Sequence, residues 1–180
     1  EMLKSLSYVV AGLASAGALA VITAGAATAA SVNTKADVVF IVDESGSMGG
    51  EQAFLENTVI DALDSGLNSA GVTDRKYGVV GFGGNIGGPN DDPRLVGALD
   101  NAANTKTNLG TLTTSGGFED GYAAIDFALN NLSFTSGAAI NFVLVTDEDR
   151  DVTSGSTLTF GSIESALTSR KIVLNAIVNN

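Results

Sequence analysis

The stretch Val38–Gly50, "VVFIVDESGSMGG", decides how the chain is read. Its apolar run leads without a break into Asp43, and serines follow at alternating positions, Ser45 and Ser47. The segment 36–42, "ADVVFIV", has the pattern of a strand buried on both faces, as in the interior of a parallel sheet. In the extended start of a loop, residues i, i+2 and i+4 face one side, so Asp43, Ser45 and Ser47 offer three side-chain oxygens to one point. Those oxygens either cap a helix or hold something.

Working outward, apolar strands alternate with amphipathic helices. The segment 51–67 places Leu55, Val59, Ala62 and Leu63 on one helical stripe, and Gly66, Ser69 and Gly71 mark its end. "KYGVVGF" (76–82) predicts a strand, and "RLVGAL" (94–99) a short edge strand. Segment 119–132 carries Tyr122, Ile125, Leu129 and Leu132 at helical spacing. "AINFVLV" (139–145) reads as a second buried strand, 160–170 as a helix with Phe160, Ile163 and Leu167 inward, and 171–178 as a last strand. Strands separated by such helices imply right-handed crossovers and a mostly parallel sheet. The expected fold is α/β, three-layered and doubly wound, with helices on both faces.

Composition narrows the chemistry. The 180 residues include no cysteine and no histidine, with 9 basic and 20 acidic side chains and a net charge of −11. Disulfides, thiolate nucleophiles, Ser-His-Asp triads and His- or Cys-ligated zinc are excluded. A metal here is held by oxygen, which favours magnesium, calcium or manganese. The charge argues against nucleic acid and anionic membranes as partners. Residues 1–30 read as a signal peptide, uncharged from Ser5 to Val32 and small-residue-rich at Ala27–Ala30, with a retained membrane helix as the alternative. Residues 31–180 then form one domain, and the close approach of the last strand to Asn180 suggests that the domain continues beyond it.

A second strand runs into acid at the same rim: Phe142–Val145 leads to Asp147. Ligands of open α/β sheets bind beyond the carboxyl ends of strands, where strand order reverses. If these two strands are neighbours, Asp43, Ser45, Ser47 and Asp147 make an oxygen cage for a hard cation.

"DESGSM" (43–48) resembles the D-x-S-x-S motif of the von Willebrand factor type A (VWA) domain, and "VLVTDED" (143–149) resembles that family's second aspartate loop. The likeness covers residues 36–180, and with the leader it resembles the secreted bacterial kind. It implies a Rossmann-like sheet carrying a metal-ion-dependent adhesion site (MIDAS), usually occupied by magnesium. By that likeness Ser45 and Ser47 are direct ligands, with Asp43 and Asp147 in or just outside the first shell. Neutral hydroxyls leave much of the cation's charge uncompensated, so that an acidic group of a partner protein completes the shell. The threonine that the family supplies from a middle loop falls here on Phe118, which cannot ligate; Thr114, Ser115 and Glu119 are the candidates to stand in.

Plainer readings stand beside these. Ser47 could cap the next helix and Asp43 could be a turn residue. Glu148, Asp149 and Asp151 read as solvated surface, with Arg150 a neutralising neighbour. "NDDP" (90–93) reads as a turn before it reads as a calcium site, and "GFGGNIGG" (81–88) lacks the spacing of a phosphate loop. The resulting expectation is a secreted, non-enzymatic adhesion or protein-interaction domain. Its expected partner is a protein presenting a carboxylate, or an extracellular matrix or surface component. A structural extracellular or surface-layer domain whose metal only stabilises the fold is the first alternative, and a metal-assisted hydrolase a distant second.

Overall fold

The computed structural model describes residues 33–85, 93–152 and 154–178. The leader, Asn90–Asp92 of the "NDDP" turn and Ile86–Gly88 of the glycine-rich loop lie outside the described residues.

Five strands form one sheet: β1 (Lys35–Asp43), β2 (Asp74–Phe82), β3 (Arg94–Asp100), β4 (Ala139–Thr146) and β5 (Ile172–Val178). Their spatial order is β3-β2-β1-β4-β5, parallel throughout except that β3 runs antiparallel to β2 at the edge. The chain winds outward from β1 through β2 and β3, then crosses to the other side of β1 to lay down β4 and β5. Order therefore reverses between β1 and β4, and the crevice at their carboxyl ends is the switch point.

The central strand is buried from Ala36 to Asp43, as the apolar run Val38–Val42 requires of its middle. Alternate residues serve two cores. Val38, Phe40 and Val42 face one way, toward α1 and Leu109 of α2. Val39 and Ile41 face the other, toward Ala124, Ile125, Ala128 and Leu129 of α3 and toward Ile163 and Leu167 of α4. Helix α1 runs Gly49–Phe54, passes through a π-helical turn at Leu55–Val59 and continues over Ile60–Ser69. The other helices are α2 (Ala102–Leu109), α3 (Gly121–Asn131) and α4 (Phe160–Ser169). The architecture is the three-layer Rossmann-like one that the sequence pattern implies.

Three details differ from the sequence reading. The π turn of α1 adds a residue to its cycle, so the buried stripe becomes Leu55, Val59, Ile60, Leu63 and Leu67 and Ala62 faces solvent. Phe160 does not join the core: it opens α4 at the rim and is 68% exposed. Helix α2 was not expected, since Asn and Thr are weak helix formers. It is held by its cap, where Asn101 accepts from Asn104 N, and by Thr105, whose hydroxyl donates to Asn101 O and Tyr77 O.

The loop before α3 lies directly on the turn after β2. A Cβ at Gly116 would stand 1.4 Å from Gly83 O and 2.9 Å from Gly84 Cα. Neither partner is a side chain that can swing away. Gly116→Ala should therefore destabilise by about 1–3 kcal/mol in urea melts, with the backbone forced apart. Gly117→Ala, where nothing lies within 4 Å, is the control and should stay within about 0.5 kcal/mol of wild type.

Candidate metal centre

The switch point brings together the loop after β1 (Glu44–Met48), the loop before α3 (Thr113–Asp120) and the loop after β4 (Asp147–Asp151). Asp43 closes β1 and is 0% exposed. Its Oδ1 accepts from Ser45 N at 2.7 Å, an Asx-type turn that starts the loop. Its Oδ2 accepts from the Thr146 hydroxyl at 2.8 Å, across to the end of β4. Asp147 follows Thr146, and its charge acts on Asp43. The two acidic strand ends are neighbours, as a parallel β1–β4 pair demands.

Ser45 is buried, Ser47 is exposed, and their hydroxyl oxygens are 3.4 Å apart. Ser47 does not cap α1, whose N-cap position is Met48 and has no side-chain cap. The Ser47 hydroxyl thus stands free of helix capping at the rim, while that of Ser45 lies against Asp43 and Ser47.

In the middle loop, Thr114 and Ser115 are exposed, while Glu119 is 2% exposed. Neither Glu119 carboxylate oxygen has a hydrogen-bond partner, and Asp147 Oδ1 is likewise buried and unpartnered. Burial pushes the Glu119 carboxyl up to about 7, reinforced by the charges of Asp43 and Glu148 and by contact with Asp151. Burial also lifts Asp43 above the ordinary carboxylate range, against the hydrogen bonds from Ser45 and Thr146 that pull it down.

The donor set fits a hard divalent cation. Carboxylate and hydroxyl oxygens are what magnesium or calcium takes, and a cation would relieve three orphaned buried oxygens. Among the described residues no group of three or more acidic side chains is gathered closely enough to hold a metal unaided. The hydroxyls of Ser45 and Ser47 would therefore be part of any such site.

Sequence reasoning passed over the residue that fastens these loops. Glu44, 1% exposed, accepts from Arg94 Nε at 2.9 Å and Arg94 Nη2 at 2.6 Å. It accepts also from Thr113 N at 2.8 Å. Its own backbone bonds Phe82 O and receives Ser115 N. Gln52 adds a second tie, donating to Asp43 O and Thr113 O. The signal for Glu44 lay in glycine: a Cβ at Gly81 would fall 2.1 Å from Glu44 Oε2, so the strand leaves room for that carboxylate.

The acidic loop after β4 is not all solvated surface. Glu148 and Asp149 are exposed, but Asp151 Oδ2 accepts from Glu119 N, and Asp151 N donates back to Glu119 O. Arg150 does not neutralise its neighbours in sequence. It grips Asp120 with two nitrogens, at 2.7 and 3.1 Å, and lies over the Tyr122 ring at 4.2 Å.

Two outcomes follow from these contacts. Arg94→Met leaves the Glu44 carboxylate buried without its cation. Because Arg94 is about one-third exposed, the loss should be about 1–3 kcal/mol in chemical denaturation, less than for a fully buried pair. In metal-free protein, the raised carboxyls of Asp43 and Glu119 favour the protonated folded state. Stability should therefore rise as pH falls from about 8 through 7 toward 5, and Glu119→Gln should flatten that slope in thermal melts.

No protein-family model matches the chain and no curated protein sequence does. Solved structures do resemble it. Proximal thread matrix protein 1 from the mussel byssus matches with a TM-score of 0.62 and 16% identity over 80% of this chain and 38% of that one. A second structure of that protein matches with a TM-score of 0.61 and 17% identity, covering 82% of this chain and 37% of that one. A third, with a zinc-occupied MIDAS motif, gives 0.62 and 19% over 80% of this chain and 35% of that one. This chain thus spans less than two-fifths of the neighbour's length. At such identities the likeness speaks to the fold: a VWA-like α/β domain, with its switch-point crevice between β1 and β4.

Proposed function

We propose that this chain is an extracellular adhesion or protein-interaction domain whose binding depends on a divalent cation held by Asp43, Ser45, Ser47 and Asp147. The observation that carries the reading is the meeting of two buried strand ends. Asp43 is bonded to Thr146, one residue before Asp147, and two serine hydroxyls stand 3.4 Å apart beside it. Magnesium is the first choice of ion, with calcium or manganese as alternatives, since every donor is oxygen. When bound, the cation supplies a Lewis-acidic centre that attracts an acidic group. The chain's own part is to orient the oxygens and keep Asp43 away from bulk water.

The partner is a protein surface presenting a carboxylate; a net charge of −11 disfavours nucleic acid. Export by residues 1–30, as in secreted bacterial proteins, completes the reading. We read the domain as a binder and not an enzyme, since the chain has no histidine to work beside a metal-bound water. A second reading is favoured by Glu119, whose buried carboxylate could make the cation a purely structural clip.

Thermal melts of the metal-free protein, with Mg²⁺ and Ca²⁺ restored in turn, test the site. At a hundredfold excess over Kd the ion should add about 2.7 kcal/mol, a Tm rise of several degrees. Ser45→Ala and Asp147→Asn should abolish that rise. A wild-type Tm indifferent to both ions would refute the metal site.

A further inference from the structure

A carboxylate in the wall of a cation site is an unusual thing to bury without a partner. Glu119 is 2% exposed and both of its carboxylate oxygens lack hydrogen bonds. An ionised group so placed costs several kcal/mol unless something of opposite charge meets it. Among the described residues, each basic side chain near these loops is committed elsewhere: Arg94 to Glu44 and Arg150 to Asp120. Asp151 lies against Glu119, a contact that satisfies the pair only while Glu119 keeps its proton and that a cation would replace.

The backbone fixes where this side chain starts. Glu119 N donates to Asp151 Oδ2 at 3.3 Å, and Glu119 O accepts from Asp151 N at 2.9 Å, so the residue is pinned from both sides. Next to it the Asp120–Arg150 pair holds the start of α3. Glu119 and Asp43 both border Gly83, which has no side chain to come between them. A Cβ at Gly83 would stand 3.3 Å from Asp43 Oδ1, 3.3 Å from Phe118 O and 3.5 Å from Glu119 Cγ. Gly83 also has φ +77°, a conformation that side-chain-bearing residues rarely adopt. An oxygen of Asp43, the Phe118 carbonyl and the stem of Glu119 thus converge on one glycine.

We propose that Glu119 is an in-chain ligand of the cation bound at Asp43, Ser45, Ser47 and Asp147, and that it takes the coordination an acidic partner would otherwise supply. This rests on the metal-site reading above. The three carboxylates are not closed round one point, so ligation requires the Glu119 side chain to turn toward Asp43 over Gly83. Once it does, three carboxylates outweigh a divalent cation and no positive charge is left to draw in a further acid. The site is self-liganded, and a partner's carboxylate has to displace Glu119 before it binds.

Isothermal titration of metal-free wild type, Glu119→Gln and Glu119→Thr with Ca²⁺ and Mg²⁺ tests this, followed by acetate titrated into each metal-loaded protein. Wild type should bind the cation and then take up no acetate at millimolar concentration. Both variants should bind the cation at least tenfold more weakly and gain acetate binding. Cation affinity unchanged in both variants, or acetate binding equally to wild type, overturns the proposal. If Ser45→Ala abolishes cation binding while Glu119→Gln does not, the metal site stands and only the role of Glu119 falls. If wild type binds no cation, both fall. Circular dichroism melts without metal should place Glu119→Gln at or above wild type, since a buried unpaired charge is gone. A markedly lower Tm in both variants would assign Glu119 to the core and overturn its role as ligand.

Discussion

The rest of the structure depends on a strand that has no exposed side. From Ala36 to Asp43 every residue of β1 is buried, with β2 on one flank, β4 on the other, and a helical layer over each face. Such a strand leaves its last residue nowhere to go. Asp43 therefore emerges from the sheet already desolvated, and its oxygens must be met by groups that the fold brings to it: Ser45 N from its own loop and the Thr146 hydroxyl from β4. The polarity of the rim follows from the apolarity of the centre.

Around that residue the charges sort into two kinds. Glu44 and Asp120 are buried with guanidinium partners, and each ties a loop to another element. Asp43 feels the charge of Asp147 and Glu119 that of Asp43, and among the described residues none of the three forms an ion pair with a basic side chain. The adjacent residues Asp43 and Glu44, and again Glu119 and Asp120, divide between these roles. One of each pair braces the loops, and the other has no basic partner among the described residues. Bracing confines the loops, so that the available oxygens keep their positions despite mutual repulsion.

Much of this was legible in the sequence because apolar runs and helical stripes carry the core. The strands β1, β2, β4 and β5 and the helices α1, α3 and α4 all announce themselves by periodicity. Helix α2 does not, since its stability comes from capping by Asn101 and from Thr105 bonding Tyr77 O, neither of which is a periodic signal. The π turn of α1 was also invisible, as a one-residue change of phase leaves the composition intact. At the site, Asp43 and the Thr146–Asp147 pair could be placed by following two strands to their ends. Glu44 could not, because its meaning comes from Arg94 and Thr113, far off in sequence, and from the absent side chain at Gly81. Glu119 was one of three candidates until burial separated it from exposed Thr114 and Ser115.

The ties at the rim are also among the most non-local in the chain. Asp43 and Thr146 are 103 residues apart, Glu44 and Thr113 are 69 apart, and Glu44 and Arg94 are 50 apart. Closing such loops is entropically costly and is recouped only after the strands between them have paired. The crevice is thus assembled late along the folding route, after β4 has docked beside β1. A chain that has collapsed but not yet completed its sheet has hydrophobic cores without a rim, and brings Asp43 up to Thr146 only with the last register of the parallel pair.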